Sequence, residues 1–278
     1  MPRLSVTIIT LNEESALPAC LDSVRWADEV VVVDSGSTDR TSEIARAAGA
    51  RFVPHAWEGH VRQKQFALEQ ASGDWILCLD ADEQVSPELK AEIEATLRAP
   101  ADGTDGFSMP RHTFYLGRWI DHGGWYPDRK VRLVRRGRAR WTGVDPHDRL
   151  ETDGRVGELS GEIHHATYRD LAHQLRTIQS FSDIAVREWR KEGRGFCLAR
   201  LLFHPPAKFL ACYVWKLGFL DGLPGFLIAA NSAYYVFLKH AKLWEATRSR
   251  GVGESGSQEV TDSPPLSTAP IRPPDAPP

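Results

Sequence analysis

Two aspartates separated by a single residue, Asp80 and Asp82, directly follow the apolar segment 75–79. Mg²⁺ and Mn²⁺ prefer hard oxygen ligands and often bind to one or two carboxylates together with substrate phosphates. A cation held there could stabilise a departing diphosphate as a Lewis acid. The same triplet could also be an ordinary capped turn, so its interpretation depends on the elements that position it.

The first hundred residues alternate between strand and helix patterns. Strands are predicted at 4–10, 30–33, 51–54 and 75–79. Helices are predicted at 15–25, from 37 or 39 to 49, and at 61–71, and a fourth begins at Ser86, which is followed by a proline and a first-turn acid. This alternation predicts an α/β fold with a mostly parallel, doubly wound sheet flanked by helices.

Three of the predicted strands end in polar clusters. The first leads into Asn12-Glu13-Glu14, the second into the segment 34–39 and the fourth into the segment 80–83. Ligands of open α/β sheets bind at the carboxyl ends of the strands, so the three clusters are expected to share one crevice. No GxxxxGK[ST] or GxGxxG motif follows a strand, which argues against a P-loop kinase and a dinucleotide dehydrogenase.

The composition is that of a globular protein and gives no sign of nucleic-acid binding. Hydrophobic residues make up 42% of the chain and charged residues 26%, and the net charge is -3. The four cysteines form no CxxC pair, so they are expected to be reduced and packed in a cytosolic protein. The chain shows no secretory signal and no uninterrupted apolar stretch of about 20 residues, so no simple membrane span is predicted.

The pattern changes after residue 100. Residues 101–165 are predicted to form short strands and loops. A helix is predicted at 170–191, with an apolar stripe formed by Leu171, Leu175, Ile178, Ala185 and Trp189. The aromatic-rich segment 201–244 fits either a buried helix pair or an interfacial hairpin at a membrane.

The chain is expected to divide into three parts. Residues 1–168 would form the nucleotide-binding and catalytic domain, and residues 169–250 an amphipathic helical region that associates with a membrane. Residues 251–278 are rich in Pro, Ser and Gly and lack aromatics, which predicts a disordered tail.

Several of these motifs together resemble family 2 glycosyltransferases, which have the Rossmann-like GT-A fold. The similar segments are 10–14, 33–39, 63–65 and 73–83, in that order, and they lie within about the first hundred residues. The stretch 127–243 is further similar to the subgroup that glucosylates the inner core of bacterial lipopolysaccharide, with matching marks at 127–130, 144–147, 165–168 and 218–222. The resemblance implies a nucleoside-diphosphate sugar as the donor and inversion at the anomeric carbon.

The resemblance also implies roles for individual residues. The donor-binding residues that it implies are Leu11, Asn12, Glu13, Asp34, Ser35, Lys64 and Asp80. Among them, Asp34 would accept the N–H of the nucleotide base. A divalent metal, Mg²⁺ or Mn²⁺, would be held by Asp82 as the more direct ligand, by Asp80 and by His165, with His164 as a neighbouring alternative.

An inverting transfer needs a general base that takes the proton of the acceptor hydroxyl. The resemblance places this role on Asp148. The subgroup usually has Glu at that position, so the shorter Asp148 departs from its pattern, and Asp145 is the alternative base.

A basic run without an intervening acid lies between these aspartates and the first hundred residues. It consists of Arg129, Lys130, Arg132, Arg135, Arg136, Arg138 and Arg140. Such a run fits either a solvated edge strand or hairpin, or a surface for an anionic glycolipid acceptor or anionic membrane headgroups. Nucleic acid is a poorer fit because no aromatic ladder accompanies the run.

Together these features predict a metal-dependent inverting glycosyltransferase at the cytoplasmic face of the cell membrane, attached peripherally. It would move glucose from UDP-glucose onto a lipopolysaccharide core or related glycolipid. One alternative is a polyprenyl-phosphate sugar synthase of the same fold, whose anionic acceptor would depend little on a base. Another is a non-catalytic protein that binds a nucleotide sugar or a membrane. A sugar-nucleotide pyrophosphorylase would need a glycine- and arginine-rich loop where this chain has Asn12-Glu13-Glu14.

Overall fold

The four strands predicted in the N-terminal half form the parallel part of the sheet. In the computed structural model, which describes residues 2–99, 103–144 and 147–248, they are β1 Leu4–Thr10, β2 Glu29–Asp34, β3 Arg51–Pro54 and β4 Trp75–Asp80. The accompanying helices are α1 Leu17–Ser23, α2 Thr41–Ala47, α3 His60–Gln70 and α4 Pro87–Arg98. The predicted order of strands and helices is confirmed.

The register of the parallel strands brings their polar ends to one edge. β1 lies between β2 and β4, and both neighbours run parallel to it. Thr10 pairs with Asp34, and Ile9 pairs with Asp80. Because parallel strands point the same way, the loops that follow β1, β2 and β4 meet above the same edge of the sheet.

The rest of the sheet is mixed. Its strands are β5 Glu83–Val85, β6 Thr104–Tyr115, β7 Arg118–Ile120, β8 Asp128–Arg135, β11 Arg155–Glu158 and β12 Ile163–His165. β8 runs antiparallel to both β4 and β6, whereas β11 and β12 run parallel to β6. The α/β prediction is confirmed, but the ten-stranded sheet formed by the described residues is mixed, because no helix lies between β6 and β8 to make a parallel crossover.

A two-stranded hairpin closes over helix α3. It consists of β9 Ala139–Val144 and β10 His147–Thr152, which pair antiparallel. The Trp141 backbone N–H donates a hydrogen bond of 2.9 Å to Gln65 Oε1 of α3. The hairpin therefore carries Asp148 to the side of the sheet where α3 lies.

The C-terminal part of the described chain is helical, as predicted. Helix α5 spans Leu171–Lys191, α6 spans Leu198–Leu210 and α7 spans Gly222–Arg248. A π-helical turn, Ala211–Trp215, and a 3-10 helix, Gly218–Asp221, connect α6 to α7. No helix within the described ranges has both the length and the apolar character that a membrane crossing requires. The predicted tail, 251–278, lies outside the described residues, and the division into domains stays a prediction.

The buried face of α5 differs from the predicted apolar stripe. Its buried residues are Gln174, Ile178, Ser182 and Val186, whereas Leu171 and Leu175 are exposed. Two of the buried residues are polar and have partners: Gln174 Oε1 accepts from Tyr115 and from Asn231 of α7, and Ser182 Oγ accepts from Lys242 of α7 at 2.7 Å. The prediction is confirmed for Ile178 and wrong for Leu171 and Leu175, because hydrophobicity alone does not show which polar side chains are buried with hydrogen-bond partners.

Candidate active site

The loops after β1 and β2 are joined by hydrogen bonds. Asn12 Oδ1 accepts the Thr38 backbone N–H at 2.8 Å, and the Asn12 backbone N–H donates to Ser37 Oγ at 2.8 Å. The Glu13 backbone N–H donates to Thr41 Oγ1 at 2.8 Å. Asn12 adopts a φ of 57°, a left-handed conformation that asparagine tolerates better than most residues. These bonds hold the predicted donor-binding residues Asn12 and Glu13 against the turn after β2.

Asp34 is the centre of that turn. It is buried, and its Oδ2 accepts the backbone N–H groups of Gly36 at 3.0 Å and Ser37 at 2.8 Å. Its Oδ1 accepts from Thr10 Oγ1 at 2.9 Å and from the Ser37 hydroxyl. Four donors already engage this carboxylate, so in this structure Asp34 organises the loop. Its predicted contact with a nucleotide base stays a prediction.

Ser35 and Leu11 lie at the margin of the same crevice. Ser35 Oγ accepts from Gln63 Nε2 at 3.0 Å, and Gln63 Oε1 lies 2.8 Å from His55 Nδ1. Leu11 is exposed, with 43% of its surface accessible. Since Gln63 is on α3, its bond to Ser35 places the start of α3, and with it Lys64, beside the strand ends.

Lys64 joins two of the predicted site residues. Its side chain is buried, with a relative exposure of 8%, and Nζ lies 2.9 Å from Asp80 Oδ1 and 2.9 Å from Asp148 Oδ2. The ammonium also lies 4.9 Å from the centre of the Trp141 ring. The structure thus brings the end of β4, the helix α3 and the hairpin residue Asp148 to one point, although they are distant in sequence.

A second cation, Arg132 of β8, completes this buried network. Its Nη2 lies 3.0 Å from Asp80 Oδ2 and 2.8 Å from Glu83 Oε1. Arg111 Nη1 also approaches Glu83 Oε1, at 3.3 Å. Sequence reasoning gave no site role to Arg111, placed Glu83 only in the polar cluster after β4, and counted Arg132 only as a member of the basic run. The one available signal was an arginine, Arg132, in an otherwise apolar part of a strand.

The network fixes the charge state of its members. Burial by itself would raise the pKa of the Asp80 carboxyl, but the Lys64 ammonium and then the Arg132 guanidinium hold it well below its usual range. Burial would lower the pKa of Lys64, but Asp80 and, to a smaller extent, Asp148 raise it. Glu83 and Asp80 likewise raise the pKa of Arg132 against the effect of its burial. Asp80, Lys64 and Arg132 are therefore charged at neutral pH.

Asp82 has a different environment from Asp80. Its Oδ2 lies 3.2 Å from His165 Nε2, and its side chain is 30% exposed. His165 Nδ1 lies 2.7 Å from Thr167 Oγ1, a contact that fixes the orientation of the ring. No lysine or arginine of the described chain lies within ion-pair distance of Asp82, so its carboxylate is open to a cation.

The pKa of Glu13 is affected by its burial and by the negative charge of neighbouring carboxylates. Burial, followed by the nearby Asp82 carboxylate, raises the pKa of Glu13 to about 7. A carboxylate and an imidazole nitrogen that converge beside such a charge surplus are suitable ligands for a divalent cation that also binds substrate phosphates. Among the described residues, no group of three or more His, Cys, Asp or Glu side chains forms a complete metal site. A cation would thus rely on Asp82, His165 and the phosphates, whereas the oxygens of Asp80 already face Lys64 and Arg132.

Two further predictions concern the region between β8 and β10. Asp145, the alternative base, lies outside the described residues. The basic run does not form one free surface: Arg132 is buried, Arg135 pairs with Asp105 at 3.2 Å, and Arg140 pairs with two acids of the hairpin. Four members of the run, at positions 129, 130, 132 and 135, lie in β8, which pairs with β4 on one side and β6 on the other, so this part of the run is neither an edge strand nor a hairpin.

Replacing Lys64 by methionine should destabilise the protein strongly. Lys64→Met leaves Asp80 and Asp148 without a shared cation in a buried place, and loss of one partner of a buried ion pair typically costs about 3–5 kcal/mol. Urea unfolding would measure the loss. Lys90→Met serves as the control, because the Lys90–Glu94 pair is exposed and should contribute about 0–1 kcal/mol. A loss for Lys64→Met as small as for the control would contradict this account.

The raised pKa of Glu13 predicts a specific pH dependence of stability. Between pH 4.5 and about 7 the unfolded chain ionises at Glu13 while the folded chain stays protonated, so the wild type loses stability as the pH rises through this window. Glu13→Gln removes this loss. In metal-free buffer, the Tm of the variant minus that of the wild type should grow across the window and stay constant above it. Glu43→Gln, at a site 70% exposed, controls for the substitution itself. A difference that does not change with pH would refute the assignment.

Comparison with known proteins identifies the family. The sequence model described as Glycosyl transferase family 2 matches residues 5–145. The lipopolysaccharide core biosynthesis glycosyltransferase LpsC of Rhizobium meliloti is 33% identical over 249 residues, which cover 87% of this chain and 92% of that protein. An uncharacterized glycosyltransferase of Rickettsia conorii is 47% identical over 276 residues, covering 92% and 95% of the two chains.

A solved structure is also similar to part of the chain. Glucosyl-3-phosphoglycerate synthase of Mycobacterium tuberculosis, in complex with Mn²⁺, UDP-glucose and phosphoglyceric acid, is 27% identical, with coverage of 40% of this chain and 44% of that one and a TM-score of 0.35. The family match and the similarity to LpsC over most of both chains confirm the resemblance that the motifs predicted. The protein belongs to glycosyl transferase family 2 and is a glycosyltransferase, related to an enzyme of lipopolysaccharide core biosynthesis.

Proposed function

We propose that this glycosyltransferase moves a hexose, glucose from UDP-glucose, onto a lipopolysaccharide core or related glycolipid, with inversion at the anomeric carbon. The observation that carries the proposal is the meeting of Asp148, Lys64 and Asp80 above the carboxyl ends of the strands. This arrangement supplies a carboxylate that can act as a base beside a positive charge that can face a diphosphate. LpsC, the relative named for lipopolysaccharide core biosynthesis, supports the choice of acceptor.

The donor nucleotide is proposed to bind over the joined loops after β1 and β2. Leu11 offers exposed apolar surface there, and the turn held by Asp34 offers polar groups next to it. Lys64 has the charge for a diphosphate contact, because its ammonium makes charge-assisted bonds beside the end of β4. When the donor is bound, the Lys64 ammonium would contact the diphosphate as well as Asp80 and Asp148.

Asp82 and His165 are proposed to hold a divalent cation, Mg²⁺ or Mn²⁺. When bound, such a cation supplies Lewis-acid stabilisation of the departing diphosphate. Thr167 keeps the His165 ring in the orientation that directs Nε2 towards Asp82. The charge of Asp82, which raises the pKa of Glu13, would be neutralised in this state.

Asp148 is proposed to be the general base. Its Oδ2 is bound by Lys64, so its Oδ1 is the oxygen proposed to take the proton of the acceptor hydroxyl. As that proton leaves, the hydroxyl oxygen forms its bond to the anomeric carbon, and the bond from this carbon to the diphosphate oxygen breaks on the opposite face. The electron pair of the broken bond goes to the diphosphate. Lys64 keeps the Asp148 carboxylate oriented for this transfer.

The helices α6 and α7 are proposed to attach the enzyme peripherally to the cytoplasmic face of the cell membrane. These helices and the π-helical turn that follows α6 expose many large apolar side chains, among them Phe203 of α6 at 68%, Trp215 of the turn at 74% and Leu223 of α7 at 69%. Contiguous exposed apolar surface of this kind marks interaction sites for proteins or membranes. A glycolipid acceptor is embedded in a membrane, so this surface matches the proposed substrate.

Asp148→Asn tests the base. The variant is expected to lose about 10²–10⁴-fold in turnover while donor affinity changes little, because asparagine keeps the shape but cannot accept the proton. UDP release with a lipopolysaccharide-core acceptor and calorimetric donor binding would measure the two effects. Asp153→Asn, at an exposed acid of the same hairpin, is the matched control. Near-normal turnover of Asp148→Asn would reject this mechanism and favour an acceptor that is already an anion, as in a polyprenyl-phosphate sugar synthase.

Asp82→Asn tests the cation site without relying on turnover. Removing the open carboxylate should weaken Mn²⁺ binding in the presence of UDP by at least about tenfold, which titration followed by electron paramagnetic resonance would detect. Asp153→Asn should bind Mn²⁺ as the wild type does. Unchanged Mn²⁺ affinity in Asp82→Asn would contradict the assignment. Transfer that persists without any divalent cation would contradict metal dependence itself.

A further inference from the structure

Basic side chains from three neighbouring segments converge where α5, α6 and α7 pack together. This group, here called the helical basic cluster, consists of Arg194, Arg200, His204, Lys208, Lys239 and His240. Three of its members, at positions 200, 204 and 208, recur every fourth residue of α6 and so share one face of that helix. None of them takes part in the donor crevice described above.

Ring contacts fix the members of the cluster relative to one another. The Lys239 ammonium lies 4.3 Å from the centre of the Tyr235 ring and 5.1 Å from that of Trp189. The Arg194 guanidinium lies 5.5 Å from the same Trp189 ring. His240 Nε2 lies 3.3 Å from His204 Nδ1, which connects α7 to α6. The cluster is therefore a built arrangement on a shared aromatic support.

The positive charge of the cluster lacks a matching set of carboxylates. Within the described chain, Arg200, Lys208 and Lys239 form no ion pair, and Arg194 pairs only with Glu192, which is half exposed. The members also repel each other: after burial, Lys208 and Arg194 lower the pKa of Lys239, and His204 followed by Lys239 lowers that of His240. Arginine and lysine side chains grouped without matching carboxylates create a positive potential that attracts an anion.

The surroundings of the cluster indicate where the anion comes from. No residue of α6 is buried, although the helix is rich in apolar residues, and Leu198, Leu202 and Phe203 are between 56% and 68% exposed. On α7, Phe237 and Trp244 are also exposed. A helix that exposes apolar side chains next to basic ones is typical of a segment lying in the interface of an anionic membrane. A soluble anion would need no apolar surroundings.

We infer that the helical basic cluster binds the phosphate of an anionic phospholipid headgroup while the adjacent apolar side chains of α6 and α7 enter the acyl region. The inference rests on the proposed membrane attachment and deepens it, because it assigns the lipid preference to particular residues. The bonds are charge-assisted hydrogen bonds from Lys208, Lys239 and Arg200 to phosphate oxygens. The aromatic support would keep Lys239 directed at the headgroup.

Vesicle binding of the full chain tests the inference. Vesicles of phosphatidylcholine alone measure apolar attachment, and vesicles that also contain phosphatidylglycerol measure the contribution of the headgroup. Basic residues near an anionic surface each contribute enough that Lys208→Ala/Lys239→Ala should weaken binding to phosphatidylglycerol vesicles by about 30-fold. Binding to phosphatidylcholine vesicles should be unchanged. Lys208→Arg/Lys239→Arg should keep the preference, because arginine also binds phosphate and stacks on aromatic rings.

The double variant Arg25→Ala/Lys90→Ala, which removes two exposed cations outside the C-terminal helices, is the matched control for charge and should bind as the wild type does. Inorganic phosphate at constant ionic strength should compete only weakly. The inference would be overturned if Lys208→Ala/Lys239→Ala bound phosphatidylglycerol vesicles as tightly as the control variant Arg25→Ala/Lys90→Ala. It would also be overturned if inorganic phosphate fully displaced the protein from these vesicles. If the wild type bound both kinds of vesicle equally, the inference about the headgroup would be overturned, but the proposed membrane attachment would stand. Failure to bind either vesicle would overturn both.

Discussion

The Lys64 ammonium is the group on which the geometry of the site depends. It is buried, and an isolated ammonium in such a place would be strongly unfavourable, so it has to be paired. Its two partners, Asp80 and Asp148, lie 16 and 84 positions further along the chain. Pairing with both fixes α3, the end of β4 and the hairpin β9–β10 relative to one another. Trp141 of the same hairpin lies against the ammonium, with the centre of its ring 4.9 Å away. A single buried charge thereby assembles parts of the chain that have no local reason to meet.

This pairing also separates the roles of the two aspartates that follow β4. Asp80 faces Lys64 and Arg132, so its charge is compensated within the protein. Asp82 points elsewhere, and its one ion-pair partner among the described residues is His165. Burial, and after it the charge of Asp82, raises the pKa of Glu13 to about 7. The compensated carboxylate holds the site together, whereas the uncompensated one can attract a cation. Asp80 and Asp82 are separated by a single residue, yet their environments differ, because β8 and α3 bring cations to Asp80 alone.

The parts of the structure that could be predicted from the sequence are those that depend on local patterns. The strands β1–β4, their helices and the shared crevice follow from apolar runs, caps and the parallel arrangement that the alternation implies. The buried network could not be predicted, because Arg132 reaches Glu83 only when β8 inserts antiparallel between β4 and β6, at a separation of 49 residues. The buried face of α5 was wrong for a related reason: Gln174 and Ser182 are buried with partners on other elements, which no helical period reveals.

The relation between the helical part and the sheet also depends on a buried charge. Asp221 of the 3-10 helix is fully buried, and its carboxylate accepts the His122 backbone N–H at 2.9 Å and lies 3.3 Å from Arg118 Nη2 of β7. The same loop is bound a second time, because the Gly123 N–H donates to the Lys216 carbonyl at 2.8 Å. Two such connections leave little freedom between the exposed apolar helices and the strand β7, which pairs with β6. Any surface that α6 and α7 contact therefore also sets the orientation of the sheet that carries the site. For an acceptor anchored in that surface, this rigidity would fix the distance between the acceptor sugar and Asp148.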